Sequence, residues 1–195
     1  MQTERRPSAI VHAELRNFTR MSEMLDAAKV LALANEFFTL AGRIVREQDG
    51  KVLSVNNDTL LASFFAGAPA QFAAAALKAS QDLQREFNAL GERWQSEYGL
   101  PAAVSIGVHL GETVFGMAGP QGAQQYVAFG DAVSITERLV HRARNGEIVL
   151  SLHTMKALGT AAQSVSVEEL PPLELAKRPA IPIYGIVLET RLDFT

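Results

Sequence analysis

The chain has no cysteine, which excludes disulfides, thiolate metal centres and cysteine nucleophiles together and fits a reducing compartment. Its four histidines, His12, His109, His141 and His153, show no H-x-x-x-H or H-E-x-x-H spacing, so no zinc centre is expected from sequence. No basic run exceeds "ERR" at residues 4–6, and the net charge is −3. Neither a nucleic-acid groove nor an electrostatic membrane anchor is expected. The first 20 residues contain no apolar run longer than "AIV". No apolar run approaches the ~20 residues that span a bilayer. The cytoplasm is the expected location, with no nucleic-acid and no membrane partner.

What is present is an ordinary globular balance, 48% hydrophobic and 20% charged over 195 residues, enough for one domain with a sizeable core. Residues 8–15, "SAIVHAEL", read as a buried strand. From about Asp26 to Arg46, apolar residues fall at 30, 34, 37, 41 and 44, with a second row at 31, 38 and 45. That is helical spacing with a stripe wide enough to pack on a sheet. "DGKV" turns the chain into short strands at 52–55 and 59–65, joined at "NND". After Pro69, Phe72, Ala76, Ala79, Leu83, Phe87, Leu90 and Trp94 step by three or four, which predicts a second long helix. Residues 102–119, "AAVSIGVHLGETVFGMAG", read as two apolar strands around "LGE", the glycines marking a turn and close backbone contacts. A third helix is expected over about Asp131–Arg144, then a strand in "NGEIVLS", a short helix, and edge strands around a proline-rich loop. The order begins βαββαβ, which predicts an α+β, ferredoxin-like core with an antiparallel sheet and helices on one face.

The stretch "SVNNDTLLASF" places Asp58 at the mouth of an apolar strand. A carboxylate there is solvated as a turn acid, paired, or bound to a cation. Glu14 ends the first strand and reads alone as a solvated strand-end acid. Arg138 on the third helix reads alone as a surface ion-pair residue. His12 and His109 fall inside strand runs and are expected to be satisfied core histidines rather than ligands.

Five segments, in order, resemble the class III adenylate and guanylate cyclases. "AELRNFTRMSE" resembles the F-x-D-[IL]-x-x-F-[TS] signature, and "DGKVLSVNNDTLLASF" resembles G-G-x-x-x-K-x-x-G-D-x-x-x-x-x-F. "VSIGVHLGETVFGMAG" is similar to the R-I-G-[IV]-H-x-G hairpin. "YVAFGDAVSITERL" is similar to Y-[DT]-x-x-G-x-x-V-N-x-A-x-R-[LM], and "NGEIVLS" to the strand after it. The resemblance implies one cyclase-homology domain over 1–195, with a core of about 8–151 and C-terminal strands within 152–190. It implies attack of a ribose 3′-hydroxyl on the α-phosphorus of ATP or GTP, assisted by Mg²⁺ or Mn²⁺. It also implies an active site at the interface of a homodimer.

Carried over by position, Glu14 and Asp58 are the metal carboxylates, with Glu14 where Asp is usual. Asn17, Phe18 and Thr19 would offer backbone N–H groups to phosphate oxygens. Arg138 matches the transition-state arginine. Ser54 stands where a base-reading Lys is expected, Val127 where Asp or Thr is expected, and Ser134 where Asn orients the ribose. Asn57 replaces the Gly before the metal Asp. Lys177 and Arg178 lie where a triphosphate Lys is often found, with K-G-K broken to "LAKR". The expected function is a cyclase-like signalling domain, catalytically impaired, acting by dimerisation, ligand sensing or regulation of a partner domain. The alternatives are an active cyclase with relaxed base choice and a purely structural interaction module.

Overall fold

The first strand is longer than the sequence suggests, and its length organises the sheet. In the computed structural model, which describes residues 3–187 and Val187 by its backbone only, β1 runs Glu4–Leu15. It pairs antiparallel with β4 (Val104–Ala118) without interruption, from Glu4 opposite Phe115 to Leu15 opposite Val104. The expected turn at "LGE" is therefore absent, and 104–118 is one strand. Gly111 lies opposite Ser8 in mid-ladder. The hairpin partner of β4 is instead β5 (Gln125–Phe129), reached through a turn that contains Gly119 and Gly122.

Between β1 and β4 come a two-turn helix α1 (Phe18–Met24), α2 (Ala27–Glu47), the hairpin β2 (Lys51–Asn56) and β3 (Thr59–Phe64), and α3 (Pro69–Tyr98). Asp26 caps α2 by accepting from Ala28 N at 2.9 Å. The stripe Val30, Ala34, Phe37, Ala41 and Ile44 is buried; of the second row, Val45 is buried but Leu31 faces solvent. Pro69 opens α3, and Gly99 closes it with φ 66°, a left-handed cap open to glycine at no steric cost.

Four elements follow: α4 (Asp131–Arg142), β6 (Glu147–Ser151), α5 (Leu152–Leu158) and a 3₁₀ turn at Gly159–Ser164. The antiparallel hairpin β7 (Glu168–Leu175) and β8 (Arg178–Val187) completes the chain. The C-terminal region from 152 thus opens with helix before its strands. The outer ends of the expected domain, 1–2 and 188–195, lie outside the described residues.

Strand order is β2-β3-β1-β4-β6-β8-β7, antiparallel except for β4 beside β6. The first four strands make the split βαβ order that the βαββαβ reading implies. Because side chains alternate along a strand, Ala9, Val11, Ala13 and Leu15 join the core beneath α2, α3 and α5. Ile10 belongs to a different cluster, with Phe115 and Ala132. That second face carries α4, which lies against Gly107, where a Cβ would meet Thr136 O at 2.6 Å and Val140 N at 2.7 Å. The missing side chain lets α4 sit on the strand, so both of its ends come within reach of charged side chains on neighbouring strands.

Candidate active site

Strand register brings the two candidate metal acids together. Glu14 is opposite Thr59, and the hairpin tip beyond Thr59 is Asn57–Asp58. Asn57 takes φ 46°, a conformation Asn tolerates better than most residues, which is how the tip forms without the expected Gly. Leu15 N donates to Asp58 O at 2.8 Å, fixing the tip to the end of β1. Glu14 and Asp58 then line one open cleft of about 560 Å³ with Asn17, Phe18 and Thr19. Asn17 sits at φ 64° and donates through Nδ2 to Pro101 O at 2.8 Å, which holds the bend that starts α1.

Arg16, whose side chain carries no expected role from sequence, dominates this cleft. Its Nη1 donates to Glu14 Oε1 at 2.6 Å and its Nε to Ser105 Oγ at 2.8 Å. Its Nη2 donates to Val140 O at 2.6 Å and Ala143 O at 3.0 Å. The Arg16 and Glu14 side chains are only 19% and 15% exposed, so this is a desolvated pair with most of its donors satisfied. It also supplies positive charge to the carbonyl end of α4. No sequence signal marks it, because two of its partners are backbone carbonyls more than 120 residues away.

His141, at the end of α4, comes within 3.8 Å of Glu14 through Nε2 to Oε2. His12 lies on β1 two residues before Glu14, its Nδ1 buried without a partner. Burial lowers its pKa, opposed in part by Glu137.

The other candidate residues do not line this cleft. Ser54 is exposed on β2 beside a bulge, and Val127 is half-buried on β5 opposite Gly116. Ser134 and Arg138 lie on the exposed side of α4. The guanidinium of Arg138 donates to Glu174 O on β7. Lys177, at φ 61°, forms the exposed turn between β7 and β8. Beside it, Arg178 grips Asp131 at the start of α4 with two bonds, 2.5 and 2.8 Å, and this pairing lowers the Asp131 pKa. His109 is buried beneath that end of α4, with Nδ1 2.8 Å from Ser151 Oγ. Burial, reinforced by His153, lowers its pKa to about 4, so it is neutral, as a core histidine should be.

Glu14 and Asp58, carboxylates at adjacent strand ends beside open solvent, suit a hydrated divalent cation. Among the described residues, however, no three His, Cys, Asp or Glu converge into a ready-made cage. No helix in the described chain is long and apolar enough to cross a membrane.

Residues 2–186 match the family model described as the adenylate and guanylate cyclase catalytic domain. Adenylate cyclase 1 of Rhizobium meliloti is 28% identical over 180 residues, 89% of this chain and 26% of that protein. Retinal guanylyl cyclase 2 of Rattus norvegicus is 28% identical over 161 residues, 80% of this chain and 14% of that protein. The chain therefore spans about a quarter or less of these relatives. Among solved structures, the adenylyl cyclase CyaB from P. aeruginosa superposes with a TM-score of 0.87 at 21% identity, covering 100% of both chains. The guanylyl cyclase Cya2 gives 0.84 at 24% identity, covering 97% of this chain and 96% of that one. At such identities the superpositions speak for the fold.

Proposed function

The chain belongs to the adenylate and guanylate cyclase catalytic domain family, and from that premise we propose a nucleotidyl cyclase domain with impaired turnover, acting as a homodimer in cyclic-nucleotide signalling. One observation carries this reading: the cation end of the site keeps its acids in one cleft, while the base and ribose positions hold Ser54, Val127 and Ser134. A bound Mg²⁺ or Mn²⁺ would neutralise phosphate charge and activate the attacking hydroxyl. Glu14 and Asp58 are the residues to hold it. Mn²⁺ suits the longer Glu14 better, because Mg²⁺ demands near-ideal octahedral geometry.

The first turn, Asn17–Thr19, borders the same cleft and is the proposed contact for phosphate oxygens. Arg138, contributed to the opposing protomer, is the proposed donor to transition-state charge, and Lys177 with Arg178 the proposed triphosphate contacts. Valine cannot hydrogen-bond a base, and serine at 54 and 134 is too short to replace lysine and asparagine. The 3′-hydroxyl is then not held in line with the α-phosphorus, which forfeits much of the effective-molarity advantage. Exposed Val55, Met117 and Phe129 on the strands around this end support a second copy as the covering partner, since a two-fold pairing closes the assembly. A regulatory partner domain acting through the dimer belongs to the same reading.

The test is cyclase assay of the purified protein with ATP and GTP. No cyclic product is expected with Mg²⁺ and at most a trace with Mn²⁺. Glu14→Asp, Ser54→Lys, Val127→Asp and Ser134→Asn together should gain adenylate cyclase activity. Turnover by the unmodified protein at about 1 s⁻¹ or more overturns impairment and leaves the second reading, an active cyclase of relaxed base choice, which the shared Glu14–Asp58 cleft favours.

A further inference from the structure

Glu14 stands where the proposed site expects the shorter Asp, and the surroundings give that methylene a use. Arg16 already holds Oε1. Oε2 is left facing His141 Nε2 across 3.8 Å, too far for a hydrogen bond. Two metal–ligand bonds of about 2.0–2.2 Å meeting at a tetrahedral angle span roughly 3.4 Å, so closing this gap needs less than about half an ångström. An aspartate would withdraw its oxygen from α4 and open the gap beyond that reach.

We propose that Glu14 Oε2 and His141 Nε2 seat one first-row transition-metal dication, zinc in preference to magnesium, with water completing its shell. This deepens the cation site of the reading above and rests on it. Imidazole nitrogen is a ligand for zinc and its neighbours in the first row, whereas magnesium selects oxygen. Glu14 brings the negative charge to the seat, its other oxygen held by Arg16. His141 is 59% exposed, so an ion reaches it from solvent. Asp58 lines the same cleft as Glu14. The sequence conceals this pair because its members are 127 positions apart, one at a strand end and the other at a helix end.

The test is calorimetric titration of untagged, metal-free protein with Zn²⁺, Mn²⁺ and Mg²⁺ in turn, without nucleotide. One Zn²⁺ per protomer is expected, bound more tightly than Mn²⁺ or Mg²⁺. His141→Ala should weaken Zn²⁺ by at least about tenfold and leave Mg²⁺ unchanged; His153→Ala should change neither. Glu14→Asp should weaken Zn²⁺ while Mg²⁺ binding is kept or improved. The proposal is overturned if His141→Ala binds Zn²⁺ as the parent does, or if Zn²⁺ shows no stoichiometric site. Zn²⁺ binding that depends on Asp58 but not His141 would overturn this seat while sparing the cyclase reading. Loss of all cation binding would count against both.

Discussion

The two ends of α4 are each tied to the sheet by an arginine and a carboxylate, and the ties differ in kind. At the C-terminal end, Arg16 and Glu14 are 19% and 15% exposed and share their bonds with Ser105 and two helix carbonyls. At the N-terminal end, Arg178 and Asp131 are 50% and 51% exposed, and among the described residues no further hydrogen-bond partner of either group accompanies their two bonds. The first is a part-buried pair whose loss strands a largely desolvated charge. The second is a surface pair, screened by water and salt. The cation end of the candidate site is thus embedded in the fold's own stability, whereas the end carrying Ser134 is free to diverge without unfolding the domain. Under the proposed reading, that asymmetry would let Ser134 change more readily than Glu14.

The largest effect should come from Arg16→Ala. It leaves Glu14 part-buried without its partner and removes the bonds to Ser105 Oγ, Val140 O and Ala143 O, and breaking one side of a fully buried pair costs about 3–5 kcal/mol, an upper bound here. Urea denaturation should show that loss, nearly independent of salt. A loss below about 1 kcal/mol would make this end as loose as the other and break the comparison. Arg16→Ala together with Glu14→Gln should recover part of the loss, since the stranded charge is then gone.

An intermediate effect is expected from His109, beneath the N-terminal end. Its ordinary pKa is near 6.5 and its folded pKa is about 4. Between those values the unfolded chain holds more protons, so stability falls as pH drops through that window and is complete above it. The shift corresponds to a loss of about 2 kcal/mol by pH 5. Denaturation at pH 7.5 and pH 5 should show it, and His109→Gln should flatten the difference. An equal pH dependence in the variant would mean that other groups set the acid sensitivity.

The sequence exposes the parts of this design that repeat. The stripe of Val30, Ala34, Phe37, Ala41 and Ile44 is buried as its spacing implies, because a helix face is a local property. The acids Glu14 and Asp58 share a cleft because β1 and β3 are neighbours in the split βαβ order. Gly111 misleads: in sequence it signals a turn, yet it lies in mid-strand, where a Cβ would come within 3.1 Å of Ala132 Cβ and His109 Nε2. The glycine answers to the packing of α4, which no local pattern encodes. Arg16 and His141 escape for the same reason, since each acquires its meaning from a partner on an element distant in the chain.

The smallest effect should come from Arg178→Ala. The Asp131 pKa is lowered chiefly by Arg178, so what the pair contributes is present above the ordinary carboxylate value near 3.9 and is lost as pH falls through the folded one. Both side chains are about half exposed, and exposed pairs of this kind contribute little. Asp131 also sits in the first turn of α4, where a negative charge favours the helix without any arginine. The melting temperature of Arg178→Ala at neutral pH should therefore stay within about 2 °C of the parent. Even that difference should vanish in 1 M salt, where the screening length is about 3 Å. Asp131→Ala should cost slightly more than Arg178→Ala, because it removes the helix-terminus charge along with the pair. If Arg178→Ala instead destabilises as much as Arg16→Ala, the N-terminal tie is structural too, and the freedom of that end to diverge needs another cause.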